Sequence, residues 1–68
     1  MTDSTPLSPR EIEMLQLVAD GWRARTIATQ LAVSPRAVST YLRLIRAKLG
    51  VPKTYEAVAQ ALRAGWIR

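Results

Sequence analysis

The sequence predicts an all-α domain of four helices with a helix-turn-helix at its centre. Apolar residues recur at three- and four-residue spacing, and no alternating strand-like run is present. Ser-Pro pairs at Ser8-Pro9 and Ser34-Pro35 are helix starts, a hydroxyl cap followed by the residue suited to the first helical position. Two patterned segments are separated by only Ala32, Val33 and Ser34, which forces a tight turn between helices.

With 68 residues, the chain forms one domain that buries only roughly 60% of the surface exposed when unfolded. The absence of cysteine and histidine removes disulfides, the usual zinc sites, thiol nucleophiles and the commonest general base. No cofactor, metal or catalytic residue is therefore expected. No apolar stretch approaches the ~20 residues of a membrane span, and residues 1–6 lack the pattern of a signal peptide. A cytoplasmic protein without a membrane partner is expected.

Residues 1–6 are polar and aperiodic and read as a flexible tail, with the domain over 7–68. Ser8-Pro9-Arg10-Glu11 is a capping box, in which hydroxyl and carboxylate satisfy each other's backbone amides. The first helix is predicted over residues 9–20, with Ile12, Leu15, Val18 and Ala19 on its apolar face and Gly21 closing it. A second, over about 23–31, buries Ile27, Ala28 and Leu31. A third opens at Ser34-Pro35 and runs to Leu49 before Gly50, with Val38, Leu42, Ile45 and Leu49 as its buried stripe. Thr54 is read as the cap of a last helix whose Tyr55, Val58 and Leu62, with Trp66 beyond Gly65, face the core.

Between residues 24 and 43 the chain meets the demands of a helix-turn-helix. Ala28 is small where the helices cross, and Ile27, Leu31, Val33, Val38 and Tyr41 supply the apolar contacts. Ala32 stands where glycine would ease a left-handed turn.

The net charge is +5, and every charged residue between Gly21 and Tyr55 is basic. Charge alone leaves a solvated basic face open, and placement decides. Arg36, Ser39, Thr40 and Arg43 lie outward on the first half of the third helix, and arginine, serine and threonine are side chains that read base edges in a major groove. Arg23, Arg25, Ser34, Arg46 and Lys48 flank them as phosphate contacts, Ser34 by adding the helix N-terminus. For Arg46 and Lys48, capping of the helix dipole is an equal alternative.

Leu7-Ser8-Pro9-Arg10-Glu11, Ala19 to Gly21, Ile27-Ala28 with Leu31, Val33-Ser34, Ile45 with Lys48-Leu49-Gly50-Val51, Glu56-Ala57-Val58 and Gly65-Trp66-Ile67 follow one another in register. Over nearly its whole length the chain resembles the LuxR-type (GerE-like) helix-turn-helix family. The resemblance implies a tetra-helical LuxR C-terminal-like fold that binds promoter DNA as a dimer, the third helix reading DNA and the fourth supplying the dimer contact. Family members usually carry lysine at Ser39, histidine at Tyr41 and asparagine at Leu44, and an arginine in place of Thr54. Leu44 is expected to pack as an extra core residue, with contact to another protein as the alternative. Ala57, Ala61 and Ala64 form a smooth stripe on the last helix where a twofold mate could approach, although alanines are also good helix formers.

The leading expectation is a small stand-alone transcriptional regulator that binds double-stranded DNA as a homodimer, an excised domain being the alternative. Further partners are RNA polymerase or a longer LuxR-type regulator. The competing class is a protein-interaction module that pairs with such a regulator and modulates its DNA binding. An enzyme is the weakest option, because the five acids are scattered and Glu11 is explained by capping.

Overall fold

The computed structural model describes residues 5–68, which form four helices: α1 (Pro9–Ala19), α2 (Ala24–Leu31), α3 (Pro35–Leu49) and α4 (Thr54–Ala64). Among the described residues there is no strand. Most of the expected flexible tail, residues 1–4, lies outside the described residues. At its end, Thr5 Oγ1 accepts a hydrogen bond from the Leu7 amide at 3.1 Å.

The start signals act as the chemistry requires. The Ser8 hydroxyl accepts from the Glu11 amide at 3.1 Å, and Glu11 Oε1 accepts from the Ser8 amide at 2.8 Å. Ser34 Oγ accepts from the Ala37 amide at 3.0 Å and starts α3. At α4 the expected cap is displaced by one residue: Lys53 is the boundary residue and Thr54 the first helical one. The Lys53 amide donates to Glu56 Oε1 at 3.1 Å, the carboxylate half of a capping box formed without a hydroxyl.

All four helices end in the same way. The amides of Trp22, Val33, Val51 and Trp66 each reach back to a carbonyl five residues earlier, at 2.9–3.0 Å. In each case the residue before them is left-handed: Gly21, Ala32, Gly50 and Gly65. Ala32, with φ 58° and ψ 43°, is the one non-glycine residue with positive φ among those described.

Helix α3 packs against the other three helices and divides the core into two clusters. Met14, Ile27, Ala28, Leu31 and Val38 form the heart of one, which locks α2 and the first half of α3 onto α1. Leu7, Leu15, Ile45, Ala57, Ala61 and Ile67 form the other, which holds α4 and the chain end. Leu42 packs against both. The helix-turn-helix residues Ile27, Ala28, Leu31, Val33, Val38 and Tyr41 all lie in or against the first cluster.

On α1 the expected apolar face packs on the core, with Leu15 buried and Ile12, Val18 and Ala19 half-buried against it, but Met14, absent from that expectation, is also fully buried. One expectation about burial fails. On α4, Tyr55 and Leu62 are 68% and 47% exposed, while Ala57 and Ala61 are completely buried. The small alanine side chains let α4 approach α1 and α3 closely, and the larger Tyr55 and Leu62 are turned out. The chain end is then tied down by Gln16, whose side-chain oxygen accepts from the Arg68 amide at 2.9 Å and whose side-chain nitrogen donates to the Arg68 carbonyl.

Candidate nucleic-acid interface

The arrangement of α3 follows from where its apolar residues fall. Val38 and Ile45 are fully buried and Leu42 and Leu49 partly so, which fixes the opposite side as the outer face. On that side Arg36, Thr40, Arg43 and Ala47 succeed one another at four- and three-residue spacing, with Ser39 on one flank and Leu44 on the other. Arg36, Ser39 and Arg43 are exposed, and Thr40 is half-buried. No residue of α3 is acidic.

Ser34, exposed at the start of α3, has its hydroxyl committed to the Ala37 amide. Arg23 and Arg25 are exposed at the start of α2, where Arg23 gives no side-chain cap. The three-residue turn joins the end of α2 to the start of α3, so Arg23 and Arg25 lie at the opposite end of α2 from that turn.

The two remaining basic residues have partners within the protein. Lys48 Nζ lies 2.8 Å from Glu11 Oε1, and Arg46 Nη1 donates to Thr54 Oγ1 at 2.9 Å. Both are on the last turn of α3. Lys48 links that turn to α1, and Arg46 links it to the first residue of α4.

Leu44, expected to pack inward, is instead 47% exposed on the outer side of α3. The core is filled on either side of it by Tyr41, Leu42 and Ile45, and helical geometry leaves the next position facing out. The alanine stripe on α4 is also redistributed: Ala57 and Ala61, buried within the protomer, have no surface to offer a mate, and Ala64 alone is exposed. The exposed large apolar residues of α4 are Tyr55 and Leu62, with Val58 half-buried between them.

Among the described residues no helix is long and apolar enough to cross a membrane, and no cluster of His, Cys, Asp or Glu could hold a metal ion. Comparison with known proteins is decisive for the family. Residues 5–61 match GerE, described as bacterial regulatory proteins, luxR family. The chain belongs to the luxR family. A solved structure described as that of the transcription factor GerE superposes with a TM-score of 0.90 at 30% identity, covering 94% of this chain and 96% of that one. DesR of Bacillus subtilis, a transcriptional regulatory protein, is 36% identical over 67 residues, 98% of this chain. ExaE of Pseudomonas putida, a transcriptional activator protein, is 44% identical over 62 residues, 91% of this chain. The chain spans 34% and 29% of the length of these two relatives. The family and these relatives are regulators of transcription and not enzymes.

Within this luxR-family domain, sequence reasoning missed the joining roles of Lys48 and Gln16. Their partners, Glu11 and Arg68, are 37 and 52 residues away. Periodicity shows which face of a helix is polar. It carries no signal for which distant polar group that face will meet.

Proposed function

We propose that this chain binds double-stranded DNA in a sequence-specific manner and regulates transcription, with α3 lying in the major groove. The observation that carries this reading is the acid-free outer face of α3, on which Arg36, Ser39, Thr40 and Arg43 stand together. Arginine can bond guanine in a bidentate way, serine can bond several bases, and the threonine methyl can pack on thymine. These four residues are assigned to base edges. Arg23 and Arg25 are assigned to phosphates, and so is the start of α3 at Ser34, where Pro35 has no amide hydrogen and Ser34 Oγ holds the Ala37 amide, which leaves the Arg36 amide for an anion. Arg46 and Lys48 are assigned a positioning role, because their hydrogen bonds within the protein support it better than phosphate contact does.

The domain acts as a homodimer in this reading, with the contact on α4 made by Tyr55, Val58 and Leu62. These recur at three- and four-residue spacing, and Tyr55 and Leu62 leave apolar surface uncovered on either side of the half-buried Val58.

Titration of a random duplex pool by fluorescence anisotropy across a salt series, followed by sequencing of the bound fraction, tests the proposal. A steep salt dependence with enrichment of a twofold-symmetric site supports it. Enrichment without symmetry removes the dimer. No binding at low salt overturns DNA recognition and favours pairing with a longer regulator of the family.

A further inference from the structure

On the reading that α3 enters a major groove, we propose that Leu44 is a specificity-determining residue that recognises the 5-methyl group of a thymine. Leu44 is 47% exposed, although the rest of the apolar stripe of α3 is buried or half-buried. Its placement is that of a base reader. A helix in the major groove contacts bases through positions spaced i, i+3, i+4 and i+7. Thr40, Arg43, Leu44 and Ala47 have that spacing on the outer side of α3.

The neighbours decide what covers the side chain. Leu44 lies on one flank of the outer row, beside the short Thr40 and Ala47, on a helix without acidic residues whose outer face also carries Arg36 and Arg43. An apolar protein partner would have to bury those guanidinium groups unpaired, whereas a duplex brings phosphate to them. The apolar feature that a major groove offers is the thymine methyl, so a leucine carried into the groove gains only where thymine stands. Arg43 and Leu44 thus read two different features from consecutive positions. Ala47 beyond them leaves space for the approach.

The test uses the 68-residue chain and the duplex recovered from the random pool, with each thymine in turn replaced by uracil, which lacks only the methyl. At one thymine of each half-site, distinct from any that Thr40 contacts, the replacement weakens binding by about fourfold, the value of one buried methyl group. In Leu44→Ala the same replacement has no effect, while Thr40→Ser retains the full penalty. Circular dichroism confirms that each variant is folded. The proposal is overturned if uracil is tolerated at every position, if the penalty persists in Leu44→Ala, or if it disappears in Thr40→Ser instead. Recovery of no preferred duplex overturns the underlying DNA-binding reading and this proposal with it, an outcome distinct from a preferred duplex that is indifferent to uracil.

Discussion

The Lys48 ammonium stands 2.8 Å from Oε1 of Glu11, the same oxygen that accepts the Ser8 amide. One buried carboxylate, 4% exposed, therefore caps α1 and holds the last turn of α3 against it.

This contact makes stability depend on acid in a definite direction. Burial by itself raises the Glu11 pKa, but the hydrogen bond from Lys48, the Ser8 amide and the charge of Lys48 together outweigh it and hold the carboxyl below its ordinary 4.5. The charged form then stabilises the fold above the ordinary carboxylate range, and the contribution is lost as pH falls through the lowered value. Glu11→Gln is expected to cost about 1 kcal/mol at neutral pH, the lysine being partly solvated. Urea denaturation below about pH 5 should show a shallower acid loss in the variant than in the parent.

Ala32 is left-handed at φ 58°. The other three helices end on glycine at the equivalent place, so Ala32→Gly is expected to relieve strain. The gain should be about 1 kcal/mol after the added freedom of the unfolded chain is subtracted. Calorimetry should show the melting temperature rising by roughly 4–8 °C. An unchanged or lower melting temperature would mean that the turn carries no strain.

Arg43→Ala should weaken binding to the selected duplex by about 1–3 kcal/mol and relax preference at one base pair. An equal loss on selected and random duplex would assign Arg43 to phosphate. Arg25→Ala, by contrast, should lower both affinities alike and reduce the salt slope by about one.

On α4, Leu62→Glu should leave the domain folded, since Leu62 is 47% exposed, and should abolish the preference for a symmetric site. Ala61→Leu, at a fully buried position, should destabilise by about 1–3 kcal/mol through overpacking. Sedimentation of both variants separates the two effects. A Leu62→Glu protein that still sediments as a dimer would place the contact elsewhere.

These α4 residues also show how far the sequence could be read. Helix starts at Ser8 and Ser34 were legible, because capping is settled within four residues of chain. The outer face of α3 was legible as well, since Val38 and Ile45 fix which side of the helix turns inward. On α4 the pattern was ambiguous: Tyr55, Val58 and Leu62 share one helical stripe, Ala57 and Ala61 the next, and both are apolar. Spacing cannot rank two adjacent apolar stripes. The distance between packed helices can, and at close approach the smaller side chains go inside. Leu44 departs from its expected burial for a related reason: it is apolar, but the inner side of α3 is already filled by Val38, Leu42, Ile45 and Leu49.

Met14 and Leu15 are neighbours in sequence, yet each is wholly buried in a different half of the core. A disturbance that turns α1 withdraws one side chain from α2 and the other from α4 together. Neither half can melt while the other stays native, so heat should take the domain apart in a single cooperative transition.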